Sequence, residues 1–228
     1  MAISTQAYKA LERIVGAKYI SEDPVIMQGY KSGPGGYEAG LGYERVMTVL
    51  PAAVILPKDT DEVQRIVKIC SRYNIPYVPY ATGFYGPKTH CHVDDELIID
   101  MKRMQHFEWD EKHMYADIGP GIVYSSLQQE AFNKGCYGVI GGGGAQCSAI
   151  ANLLGDGWSP ISLKIGLPHR RILGTELVLP DGELVKMGSL ANCDDPFWGE
   201  GPGPDLRCIL RGFYRSERLL RYRYKNGC

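Results

Sequence analysis

Three stretches of this chain expose main chain where most sequences would place side chains. The first is 79-PYATGFYG, with Gly83 and Gly86 three positions apart behind Ala81 and Thr82. The second is Gly119-Pro120-Gly121, and the third is 141-GGGG, which runs into the small residues of AQCSA. Glycine tolerates positive φ and lets a ligand come close to the backbone, so converging N–H groups can grip an anion without a lysine. At 79-PYATGFYG the chemistry this suits is diphosphate binding, with the Thr82 hydroxyl as an extra donor. At GGGGAQCSA, ahead of a helical stretch, it is the seating of a flat ring or an anion. Each cluster taken alone also fits a plain turn, the commonest use of glycine.

Other chemistries find less in the sequence. His90 and His92 lie close together, but no carboxylate or cysteine cluster completes a ligand set; no metal is expected, and His90 is read as a surface residue. Seven cysteines, an odd number with no CxxC pair, point to reduced thiols rather than to zinc or a disulfide framework. The G-x-x-x-x-G-K-[ST] phosphate loop is missing, and the 81–86 loop lacks the G-x-G-x-x-G dinucleotide fingerprint. No side chain stands out as a catalytic base, so none is named. A net charge of −1 with both signs dispersed excludes a nucleic-acid footprint. No run approaches the about 18 apolar residues of a membrane helix. The opening MAISTQAYKALERIVG has no apolar signal block, and a cytoplasmic location is expected.

The elements that position these stretches follow from periodicity. Tyr8, Leu11, Ile14 and Val15 predict a helix over 5–16, and 29-GYKSGPGGYEAGLGYE reads as a loop. Ala52–Leu56 is a buried strand. Asp59 with Glu62 forms a capping box for a helix ending near Tyr73–Asn74, and IPYVPY is the next strand, also buried. Strand, helix and strand in this order favour parallel pairing, with the first glycine loop at a strand's carboxyl end. Then come the strand LIID, a hairpin from 106-HFEWD and 114-MYADI, and a helix over 123–134 closed by Gly135. AQCSAIANLL is predicted helical, Asp181-Gly182 turns a second hairpin, and 201-GPGPDLRCILRGF enters a helix at Asp205.

In this order the pieces are familiar. Residues 51–207 resemble the FAD-binding domain of the vanillyl-alcohol oxidase/p-cresol methylhydroxylase (PCMH-type) flavoprotein superfamily, which also holds glycolate- and D-lactate-dehydrogenase-like enzymes. The likeness rests on 51-PAAVILPKDTDEVQRIVKIC, 79-PYATGFYG, 97-LIIDMKRM, 114-MYADIGPGIVYSSLQ, GGGGAQCSAIAN, 173-LGTELVLPDGELVKMGS and 197-FWGEGPGPDLR. It implies an α+β, two-lobed PCMH-type fold with FAD between the lobes. Tyr80, Ala81, Thr82, Gly83, Phe84, Tyr85 and Gly86 would hold the pyrophosphate, and Pro120 and Gly121 would line the cofactor path. Gly142, Gly143, Gly144, Ser148, Ala149 and Asn152 would meet the ribityl–isoalloxazine region. Val178, on the strand that also carries Glu176, would pass the adenine end or the lobe interface. Phe84 and Tyr85 stand where some members carry a flavin-linked histidine, so non-covalent FAD is expected.

The resemblance also sets domain expectations: a helix and glycine-rich loop over 1–50, and the FAD-binding domain over 51–212, in lobes of about 51–105 and 106–212. Residues 213–228 make an atypical basic tail, where arginines alternate in place of an apolar strand. A truncated or frame-altered reading of a longer gene explains that tail, and a deliberately basic tail is the rival explanation. The function implied is an FAD-dependent oxidoreductase that oxidises a hydroxylated small molecule, such as a 2-hydroxy acid or a phenolic alcohol, by hydride transfer to the flavin. The alternative is a non-catalytic FAD module or fragment completed by a cap domain, a partner subunit or a second copy.

Overall fold

The computed structural model describes residues 3–31, 50–83, 95–137, 144–154, 162–165, 167, 172–188, 205–211 and 214–215. The chain divides into two compact units, Met1–Met104 with Leu177–Val185, and Gln105–Glu176 with Lys186–Cys228.

The first unit opens with α1 (Thr5–Val15), capped by the Ser4 side chain and burying Ala7, Leu11 and Val15. It packs against α3 (Thr60–Tyr73). Asp59 accepts from the Glu62 N–H at 2.9 Å and starts α3. The reciprocal bond of the capping box is displaced by one residue, because the Glu62 carboxylate takes the N–H of Lys58 rather than that of Asp59. Asn74, in left-handed conformation at φ 51, ends the helix.

Between these helices run β1 (Ile20–Ser21), α2 (Pro24–Lys31) and β2 (Ala53–Ile55). After α3 come β3 (Tyr77–Tyr80) and β4 (Leu97–Asp100). The sheet order is β1-β2-β4-β3, with β2 and β3 both parallel to β4. The expected parallel pairing is present, with β4 inserted between the two strands of the crossover. β3 is therefore an edge strand and only partly buried, not the buried strand its composition suggests. That position explains Pro79, which an interior strand tolerates poorly. β4 is buried along its whole length.

Helix α2 was not expected, and its last residues are the first three of the stretch read as a loop; residues 32–49 of that stretch lie outside the described residues. Met27 of α2 packs with Val54 and Ile98, and Tyr30, Leu56, Val78 and Tyr80 pack around that cluster. Side chains two apart on a strand share a face. Asp100 therefore follows Ile98 onto the α2 side of the sheet, and Tyr80, in register with Asp100, follows Val78.

The second unit contains the predicted hairpin as β5 (Phe107–Asp110) and β6 (Tyr115–Ile118). Helix α4 (Tyr124–Asn133) and β7 (Cys136–Tyr137) come next. The stretch read as one helix over AQCSAIANLL is a turn followed by α5 (Ala149–Leu154), and α6 (Ser162–Ile165) is shorter still. β8 (Ile172–Val178) and β9 (Leu184–Gly188) form the second hairpin, whose tip belongs to the first unit. The Gly182 N–H donates to the Leu179 carbonyl at 2.8 Å. This puts Pro180–Asp181 at the corner, with Gly182 left-handed at φ 83 beside it.

The helix expected at Asp205 is instead β10 (Asp205–Arg211), antiparallel to β6 in a sheet of order β5-β6-β10-β8-β9. Leu206, Cys208 and Leu210 recur at the period of a strand, with Ile209 also apolar between them, and the pairing with β6 outweighs the capping signal of Asp205. From the tail, β11 (Tyr214–Arg215) pairs with β7. Residues 216–228 lie outside the described residues.

Candidate cofactor site

The first candidate stretch leaves the carboxyl edge of β3. Gly83 is left-handed at φ 63, and a Cβ there would strike the Tyr80 phenol ring, 2.8 Å from Cε2. Conformation therefore favours glycine here, and any Cβ would also have to displace the end of the Tyr80 side chain. Among the described residues, no hydrogen bond takes up the main-chain N–H of Thr82 or Gly83. Donors left open beside a strand end are what an incoming diphosphate needs, so this part of the chain fits the group. Phe84, Tyr85 and Gly86 lie outside the described residues, as do His90 and His92. No cluster of metal-binding side chains occurs among the described residues.

Behind the loop stands a polar cluster that the sequence did not reveal. Asp100 is fully buried at the end of β4. Its Oδ1 accepts from the Lys102 N–H at 2.9 Å, and its Oδ2 accepts from the Tyr30 hydroxyl at 2.7 Å. The Lys102 ammonium lies 2.7 Å from the same Oδ2 and donates to the Tyr30 hydroxyl at 2.9 Å. A buried carboxylate is tolerable only with such partners. Tyr30 also meets Tyr80 edge-on, with ring centroids 5.2 Å apart. Burial, above all, pushes the Tyr30 phenol up to about 12. Burial opposes the charge on Lys102, but its bonds to Asp100 and Tyr30 outweigh that and hold its pKa above the ordinary lysine value. The one hint in the sequence was a carboxylate closing the otherwise apolar LIID; Tyr30 is 70 residues away from it.

The second and third stretches come together in the second unit. The Ile122 N–H closes a turn on the Gly119 carbonyl at 3.1 Å, with Pro120 and Gly121 at its corner. Main-chain bonds then tie this segment to the residues after the glycine cluster. The Tyr124 N–H donates to the Cys147 carbonyl, that of Ser125 to Ala145, and that of Ala149 to Ile122, at 2.8–3.0 Å. Val123 and Ser148 form an antiparallel bridge. Ser148, buried at 3% exposure, donates its hydroxyl to the Pro120 carbonyl at 3.3 Å and accepts from the Ala151 N–H. Asn152, also buried, accepts from the Tyr124 hydroxyl at 3.2 Å.

Pro120, Gly121, Gly144, Ser148, Ala149 and Asn152 are thus gathered into one assembly, with Gly144 left-handed at φ 110. The Ser148 hydroxyl and the Asn152 carbonyl oxygen are engaged within it. Gly142 and Gly143 lie outside the described residues. Val178 is buried at the end of β8. Cys70, Cys136 and Cys147 are buried and in no disulfide, and burial pushes the Cys70 thiol up to about 12.

Comparison with known proteins places the chain. It belongs to the FAD binding domain family, whose pattern matches residues 51–188. It is 29% identical over 141 residues to the glycolate oxidase subunit GlcD of Bacillus subtilis, covering 61% of this chain and 30% of that protein. It is 28% identical over 149 residues to the mitochondrial cytochrome-type D-lactate dehydrogenase of Arabidopsis thaliana, covering 62% of this chain and 25% of the relative. The matched stretch thus spans less than a third of these curated relatives.

Among solved structures, p-cresol methylhydroxylase with substrate bound superposes with a TM-score of 0.71 at 18% identity, over 90% of this chain and 42% of that one. Alkyldihydroxyacetonephosphate synthase reaches 0.76, also at 18%, over 93% and 41%. At that identity the likeness speaks for the fold alone, and the fold is the expected PCMH-type α+β arrangement. In the described residues no helix is long and apolar enough to cross a membrane.

Proposed function

We propose that this chain is the cofactor-binding part of an FAD-linked oxidoreductase acting on a hydroxylated small molecule, with 2-hydroxy acids favoured over phenolic alcohols. One observation carries the preference. Within a chain of the FAD binding domain family, relatives named for glycolate, D-lactate and D-2-hydroxyglutarate recur. Bound FAD supplies the acceptor for the hydride that leaves the hydroxyl-bearing carbon.

What this chain's own residues do is bind and orient. Thr82 and Gly83 offer open main-chain donors to the diphosphate. The Gly119–Ser125 and Gly144–Asn152 segments present backbone to the ribityl and ring end, with Ser148 and Asn152 holding that backbone in place. Val178 is kept as a contact toward the adenine end. The link is non-covalent in this reading, since Phe84 and Tyr85 stand where some relatives attach the flavin. Substrate groups and the base that removes the hydroxyl proton are assigned to no described residue. The compartment proposed is the cytoplasm, a reading supported by the dispersed charge and the reduced thiols.

The test is anaerobic mixing of the flavin-loaded chain with glycolate, D-lactate and D-2-hydroxyglutarate. Bleaching of the flavin by one of these and not by phenolic alcohols is the expected result. Bleaching by phenolic alcohols alone, or by none of the compounds, overturns the assignment.

A further inference from the structure

The Tyr30–Asp100–Lys102 cluster has no part in the function proposed above. Its placement gives it one. Lys102 follows β4 at the carboxyl edge of the parallel sheet, the edge from which the diphosphate loop leaves neighbouring β3. Its ammonium sits 5.3 Å from the Tyr30 ring centroid, Tyr30 meets Tyr80 edge-on, and Tyr80 lies where a Cβ of Gly83 would fall. One edge-to-face ring pair therefore links the cation to the loop.

The cluster is also polarised. The Asp100 side chain is 1% exposed and that of Lys102 is 53% exposed, so the pair turns its positive end to solvent and its negative end to the core. The fold is spending a buried carboxylate to fix an ammonium in place. A freely rotating surface lysine needs no such anchor.

We propose that Lys102, anchored by Asp100 and Tyr30, is the cationic contact for the FAD diphosphate, which the main-chain donors of Thr82 and Gly83 do not neutralise. The proposal rests on the FAD reading of the site. Asp100 and Tyr30 are positioning residues, acting on the ligand through Lys102. Tyr30 lies on α2, ahead of the family-matched residues 51–188, so the amino-terminal segment takes part in cofactor binding.

The experiment is equilibrium titration of the full chain with FAD and, separately, with riboflavin, which has the ring but no diphosphate. Lys102→Gln weakens FAD binding by about tenfold to a hundredfold, the loss of one charge-assisted contact, and leaves riboflavin binding unchanged. Lys102→Arg keeps most of the affinity, and Tyr30→Phe shows a smaller loss confined to FAD. FAD binding by the wild type also weakens more steeply with salt than that of Lys102→Gln. Unchanged FAD affinity in Lys102→Gln overturns the proposal, as does an equal loss for FAD and riboflavin, which marks a merely structural role. A wild-type chain that takes up no FAD removes the FAD reading itself, and this proposal with it.

Discussion

The Tyr80 phenol ring fills the space into which a Cβ at Gly83 would point. Strand end and loop are therefore fitted to each other, and the left-handed turn at Gly83 is braced by a ring that Tyr30 in turn supports. Gly83→Ala must both adopt φ 63 and displace that ring. The conformational part alone costs about 1–2 kcal/mol. FAD affinity is expected to fall about tenfold or more, since about 1.4 kcal/mol is a factor of ten. A titration of the variant checks this, and unchanged affinity would remove Gly83 from the site.

The Ser148 hydroxyl ties α5 to the Gly119–Ile122 turn through the Pro120 carbonyl. Ser148→Ala removes that bond and the one from the Ala151 N–H, a loss of about 1 kcal/mol. A drop of about 2–4 °C in the melting temperature follows for a chain of this size. A calorimetric scan checks it. Riboflavin binding should weaken as well, because the backbone meant to meet the ring is then less firmly held.

Tyr124→Phe leaves the Asn152 carbonyl oxygen buried without its phenol partner, at a cost of about 1 kcal/mol, the lower end of the usual range given the 3.2 Å bond. Replacing both partners by apolar groups is far less damaging. The double variant Tyr124→Phe, Asn152→Leu should therefore melt above the single one. Denaturant unfolding of the two measures the difference.

Alkaline pH offers a separate handle. The Tyr30 phenol titrates at about 12 in the folded chain, against 10.0 for an ordinary tyrosine. A pKa raised on folding means stability that is complete below pH 10 and is lost as pH rises toward 12. Lys102, also raised, loses stability in the same direction. Wild-type chain should therefore lose its advantage over Tyr30→Phe between pH 10 and 12. Urea midpoints of the two proteins across that window report it, and a constant gap would show that folding does not raise the Tyr30 phenol.

How much of this was legible depended on whether a signal was local. The Asp59 cap, the apolar stripe of Val63, Ile66, Val67 and Cys70, and the buried run of LIID are written in neighbouring residues, and each appears as expected. The glycine stretches were visible as composition, and the structure brings Pro120 and Gly121 to Ser148 and Ala149 through main-chain bonds that no spacing foretells. DLRCILR was misread because Asp205 looks like a cap, while its strand partner β6 lies about 90 residues earlier in the chain. Tyr30 was invisible for the same reason. Its partner is distant in sequence, and the helix that delivers it was hidden by the glycines that follow.

The measurement that tests the central claim most directly is a comparison of FAD and riboflavin binding by the unaltered full chain. If open main-chain donors grip a diphosphate, FAD binds saturably at one per chain and distinctly more tightly than riboflavin. A chain that binds neither flavin, or binds both equally, contradicts the account.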